Sequence, residues 1–272
     1  MTRGLRCFNA AGDSYAKFLG TSDPDTESNV STATLRTLEF FFLMTEATYT
    51  DNDRIFEVRE KTQTVTRTQV KITGPTGARQ LTCLFRNNLS TSNAAFATLS
   101  IDAGPTHEWR HGVMRDTGND WEVLCGKVGD GVENYEVDQV AYAGSPTPTG
   151  FYPIGSGPAN ADDEGLTAVT IGDARAGGAE FPGLIGPIRA WTTMRTDTQL
   201  GDYSCRAVDP TDSDLAHLWL PNNVSGDLVD YVAGVDCAYT LGSDGSQGYS
   251  KYGFRGYNCH PFLRPLLVAG GC

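Results

Sequence analysis

Phe181-Pro182-Gly183-Leu184-Ile185-Gly186-Pro187-Ile188-Arg189-Ala190-Trp191 decides how this chain is read. Its apolar run from Leu184 to Trp191 predicts a β-strand. Gly183 and Gly186 stand where a strand needs close backbone approach. On either side, Leu166 to Ile171, Leu215 to Leu220 and Cys237 to Leu241 have the same short, apolar character. Further out, Thr64 to Ile72 is rich in β-branched residues, which suit a pleated surface. Leu81, Cys83 and Phe85 share one face of a period-two segment, as do Trp121, Val123 and Cys125. Leu35 to Leu43 predicts a long strand whose far half is buried on both sides.

Turn chemistry separates these runs. Gly129-Asp130-Gly131 between two alternating segments predicts a hairpin whose second strand runs from Val132 to Ala141. Gly144 to Gly150 and Gly155 to Pro158 are turn clusters. A helix start is visible at Thr196, followed by Asp197 and Gln199, and it opens a short helix to Tyr203. Many short strands with frequent turns predict an all-β, two-sheet antiparallel jelly-roll sandwich over residues 1–242. Trp121, Trp191 and Trp219 are the expected aromatic anchors of its core. Residues 243–272 form a Gly- and aromatic-rich extension ending in an apolar segment, expected to pack on the domain or on a partner.

Composition narrows the function. The 272 residues carry 21 basic and 33 acidic side chains, a net charge of −12. Nucleic-acid backbones and anionic lipid both select clustered Lys and Arg, so neither partner is expected. The 31 glycines and 13 prolines favour turns and exclude helix bundles. No apolar stretch approaches the roughly 20 residues of a membrane span. The first eight residues carry no apolar signal region, so no signal peptide is expected. The seven cysteines are widely and irregularly spaced without a CxxC pair, which predicts mostly reduced, buried thiols.

The order of segments resembles the laminin G-like branch of the concanavalin A-like superfamily. Phe8 to Phe18 is similar to its opening strand, and Leu35 to Leu43 to its next core strand. Asp120-Trp121-Glu122-Val123 through Gly129-Asp130-Gly131 to Tyr135-Glu136-Val137-Asp138 resembles the family's tryptophan hairpin, with Gln139 in place of its final glycine. Val169-Thr170-Ile171-Gly172 followed by Phe181 to Trp191 resembles its most specific signature. Leu215 to Leu220 and Val229 to Gly234 match the closing strand and turn. The resemblance spans residues 5–242 and implies the jelly roll.

Three groups of residues are candidates for a site. His107-Glu108-Trp109-Arg110-His111 spells H-E-x-x-H, which in metalloproteases places two zinc-binding histidines on one helix face. Gly104-Pro105 before it and Gly112 after it leave no room for that helix, so a loop is expected. An exposed Trp109 flanked by His107 and His111 would instead stack on a sugar ring. Glu136-Val137-Asp138-Gln139-Val140 begins the E-x-D-x-E strand of glycosidases in the superfamily, but Val140 stands where the last glutamate belongs. Without that second carboxylate, retaining hydrolysis is disfavoured, and Glu136 and Asp138 become polar ligand contacts. Asp51-Asn52-Asp53 resembles the pentraxin calcium ligands, but Asp173-Ala174-Arg175-Ala176 replaces the other half of that set. A calcium ion would therefore rest on Asp51, Asn52 and Asp173, and no other cofactor is expected.

The expectation is a non-enzymatic module. It would bind glycan, or join protein subunits as a homo-oligomer or a capsid or tail component: a virion decoration, fibre or spike made in the cytoplasm. The alternative is a glycoside hydrolase or lyase with a non-standard carboxylate pair.

Overall fold

The computed structural model describes residues 5–6, 15–17, 35–44, 53–60, 66–74, 78–86, 94–101, 108–141, 167–172, 181, 183–204, 206–221, 228–234 and 238–240. The strands are β1 (Leu5–Arg6), β2 (Tyr15–Lys17), β3 (Thr37–Met44), β4 (Asp53–Glu60), β5 (Thr66–Thr73), β6 (Gln80–Arg86), β7 (Ala94–Ser100) and β8 (Trp109–Asp116). They continue with β9 (Asp120–Lys127), β10 (Glu136–Ala141), β11 (Thr167–Ile171), β12 (Gly183–Trp191), β13 (Leu215–Pro221), β14 (Leu228–Asp230) and β15 (Ala238–Thr240). One helix, α1, spans Asp197–Tyr203. The extension 243–272 lies outside the described residues.

The strands form two antiparallel sheets. The first has the order β10-β9-β8-β3-β12-β13-β14, with β1 also on β12; the second has the order β15-β2-β11-β4-β5-β6-β7. Alternation sends Leu38, Phe40, Phe42 and Met44 of β3 inward, where they meet Phe56, Val58, Val70, Ile72, Leu81, Cys83 and Phe85 of the second sheet. Phe85 meets Trp121 edge-on at 4.6 Å, and Phe56 lies 6.1 Å from Trp219. Close approach explains two glycines. A Cβ on Gly112 would enter the Phe40 ring, and one on Gly183 would collide with the Leu43 carbonyl. No helix is long and apolar enough to cross a membrane among the described residues.

Three expectations need correction. The second hairpin strand begins at Glu136, not Val132, because Val132–Asn134 turns into a 3-10 helix closed by the Tyr135 N–H donating to the Val132 carbonyl at 2.9 Å. This turn tucks Val132 and Tyr135 against Val113, Leu124 and Leu200 on the far side of the first sheet. Trp191 is not between the sheets. With Ile188 and Ala190 facing inward, its strand parity places it on that same far side, with Val208, Leu215 and Leu218. Finally, the expected loop at Trp109 and His111 is strand β8. Helix α1 starts as expected: the Thr196 hydroxyl accepts from the Gln199 N–H, and the Gln199 side chain accepts from the Thr196 N–H at 2.9 Å.

Candidate functional site

The two sheets present unlike outer faces. On the second sheet, the parity that buries Val70, Ile72, Leu81 and Cys83 turns Gln69, Lys71, Thr73 and Thr82 outward. Glu57, opposite Gln69, lies on the same face. Its Oε1 accepts from the Arg54 guanidinium, from the Thr66 hydroxyl at 3.0 Å and from the Gln69 amide at 3.3 Å. Thr73 and Thr82 share a hydrogen bond at 3.0 Å, and Thr82 and Thr98 one at 3.4 Å, so hydroxyls run across β5, β6 and β7. Glu57, Gln69 and Thr82 are buried, at 0%, 6% and 8% exposure, so the groups this face leaves partly accessible are the guanidinium of Arg54, the ammonium of Lys71 and the hydroxyls of Thr73 and Thr98. Such a set can donate and accept at once, as the hydroxyls of a sugar require.

The residues singled out in the sequence are dispersed. His111 is fully buried in β8, stacked on Phe41 at 4.5 Å; one of its nitrogens meets Glu39 at 3.0 Å and the other Tyr135 at 3.0 Å. Trp109 is 8% exposed, so the reading of an open sugar-stacking platform is corrected: β8 turns the indole into the protein. Glu108 pairs with Lys127 at 3.0 Å. His107, Asp51, Asn52 and Asp173 lie outside the described residues. No cluster of three or more metal-ligating side chains occurs among the described residues. Glu136 and Asp138 do share one face of β10; Glu136 is exposed, whereas Asp138 Oδ2 accepts from the Thr98 N–H at 2.7 Å. That bond occupies an edge N–H of the second sheet with a carboxylate from the edge of the first. Nearby, burial pushes the Cys125 thiol up to about 11 although Arg110 opposes it, which leaves it an unreactive, protonated thiol.

The outer face of the first sheet is covered by α1 and residues 192–204 and 206–214, with Leu200, Tyr203 and Val208 packed on it, and it holds charges the sequence reading missed. Glu39 Oε2 accepts from Arg189 at 3.2 Å, and Glu39 Oε1 accepts from the Trp191 indole at 2.6 Å. Arg189 also donates to the Tyr203 and Arg206 carbonyls at 2.9 and 2.7 Å. Arg115 donates to Glu122 and to Asp197, both at 2.6 Å, tying α1 to the sheet. On the inner face at the far strands, where His217 is the partner of the inward-facing Ala190 and stacks on Trp219, His217 Nδ1 meets Asp230 Oδ2 at 2.7 Å, while Asp230 Oδ1 accepts backbone N–H groups of Leu218, Val232 and Ala233. The signal was present: Glu39 and Arg189 are single charges inside apolar strands, which are tolerated only as partners.

No protein-family model and no curated protein matches this sequence. Solved structures do. A Bacteroides ovatus protein named for an inferred role in carbohydrate binding is 16% identical over 89% of this chain and 59% of its own, with a TM-score of 0.48. The enzymatically active domain of bacteriophage CBA120 tailspike protein 2 is 11% identical over 80% of this chain and 29% of its own, with a TM-score of 0.50. The sialidase carbohydrate-binding module CBM40 of Ruminococcus gnavus is 13% identical over 73% of this chain and 96% of its own, with a TM-score of 0.43. This chain thus spans about three-fifths of the first protein and under a third of the second. The fold is an all-β jelly-roll sandwich of two antiparallel sheets. At these identities the likeness speaks of the jelly roll alone, and function rests on the side chains it carries.

Proposed function

We propose that this jelly roll is a non-enzymatic recognition module that binds glycan on the outer face of its second sheet, as a surface component of a larger assembly. The observation that carries the reading is the row of half-buried Arg54, Lys71 and Thr73 on adjacent strands, with Arg54 and Thr73 held by hydrogen bonds to the buried Glu57 and Thr82 beneath them. A preorganised set of this kind binds without first ordering its side chains. A tailspike domain with this fold supports the assembly half of the reading, in which residues 243–272 serve as a docking element on a virion fibre, spike or decoration. A calcium ion on Asp51, Asn52 and Asp173 belongs to the same proposal.

The test is a glycan array read with and without EDTA, using the intact chain and its Lys71→Ala and Thr82→Val variants. Binding that both variants lower at unchanged thermal stability is the expected result, and an EDTA-sensitive signal assigns the calcium. An array without any bound glycan would overturn the glycan half, and normal incorporation after deletion of 243–272 the docking half. Glycan turnover that disappears in Glu136→Gln and Asp138→Asn would replace the reading with the enzymatic one.

A further inference from the structure

Four arginines meet in the layer over the first sheet, on a chain of net charge −12. Two of them are neutralised: Arg115 by Glu122 and Asp197, and Arg189 by Glu39. Arg195 differs. It is only 3% exposed, and no carboxylate lies within ion-pair distance of it among the described residues. Its guanidinium carbon sits 3.9 Å above the Trp191 ring and 5.2 Å from the Tyr203 ring. Its backbone is held at both ends, since its N–H donates to the Thr37 hydroxyl at 3.0 Å and its carbonyl accepts from Arg115 at 3.0 Å. The aromatic faces stabilise the cation yet accept none of its N–H groups, and the five donors of the guanidinium fork suit an oxyanion in two-pronged contact. Arg206, exposed and joined through its N–H to the Tyr203 carbonyl at 3.3 Å, adds a fourth positive charge to the layer.

We propose that Arg195, boxed by Trp191 and Tyr203, is an anion-binding subsite that takes the carboxylate, sulfate or phosphate group of a ligand. A fixed, desolvated cation without a counter-ion attracts an anion more strongly than a surface arginine does, because water screens it less. This subsite lies on the opposite sheet from the polar field proposed for glycan, so either can fail while the other stands.

Trp191 is its built-in reporter. Indole fluorescence of the intact chain is followed while sodium sulfate, or the sodium salt of a hexuronic acid, replaces sodium chloride at constant ionic strength. A saturable change is expected, at least tenfold weaker in Arg195→Lys, which keeps the charge without the planar fork, and unchanged in Asp209→Asn. Tighter binding of the hexuronate assigns the source to an acidic sugar, and equal binding assigns it to a free oxyanion. Should Arg195→Lys fold poorly, the shift of the Arg195 Nε–H resonance on sulfate addition provides the same information in the unaltered chain. A response to neither anion, a response as strong in Arg195→Lys, or an Arg195 resonance that stays in place would overturn the assignment.

Discussion

Glu39 keeps its charge in an environment that opposes it. Burial raises its pKa, yet the Arg189 guanidinium and the His111 and Trp191 hydrogen bonds outweigh that and hold it at about 2. Removing the carboxylate leaves Arg189 buried and unmatched, so Glu39→Gln is expected to cost about 3–5 kcal/mol in urea unfolding. A loss under about 1 kcal/mol would mean that the carbonyls of Tyr203 and Arg206 suffice for the cation. The pH dependence follows from the same cluster. Glu39 is more acidic folded than unfolded, so its contribution is present above its ordinary 4.5 and is lost as pH falls towards about 2. Burial lowers the pKa of His111 from its ordinary 6.5 against the pull of Glu39. The unfolded chain therefore takes up this proton first, and stability declines as pH drops below 6.5. His111→Gln, which can still bond Glu39 and Tyr135, is expected to flatten the decline in thermal midpoint between pH 7.5 and 5. An unchanged slope would place the titration elsewhere.

Among the elements, α1 shows how little sequence can be enough. Thr196 and Gln199 cap a helix of seven residues whose one buried side chain is Leu200. Thr196→Ala is expected to cost about 1 kcal/mol, read by chemical denaturation. A neutral result would show that Arg115 on Asp197 fixes the helix without its cap. This helix was legible because its signal is local. So were β6 and β9, where Leu81, Cys83 and Phe85, and Trp121, Val123 and Cys125, alternate cleanly into the core. Strand β4 was hidden: its register shifts between Arg54 and Phe56 and again between Val58 and Arg59, which breaks period two, and its buried Glu57 breaks the apolar pattern. In β8 a fully buried His111 and a buried Arg115 made an interior strand look like a metal-binding loop. Buried polar groups are legible only together with their partners, and Glu39 is 72 residues away from His111.

At the scale of the molecule, the inner faces join the sheets while the outer faces divide the labour. Asp138 closes one side by accepting the Thr98 N–H, so the edges of β10 and β7 guard one another, and an inward-pointing carboxylate discourages a further strand from adding there. What the sequence did not contain was which sheet each strand joins, since β3 and β12 are neighbours across some 140 residues and nothing local encodes that pairing. The stacking itself is testable through β6 and β9, which belong to different sheets and touch through Phe85 and Trp121. An edge-to-face aromatic pair adds about 0.5–1.5 kcal/mol beyond the area it buries. A double-mutant cycle with Phe85→Leu and Trp121→Phe isolates that coupling from the loss of volume each variant suffers separately. If the two rings meet as described, the double variant is destabilised by less than the sum of the singles, by roughly that amount. Strict additivity would separate the rings, and with them the face-to-face arrangement on which both proposed sites depend, since each needs its sheet backed by the other.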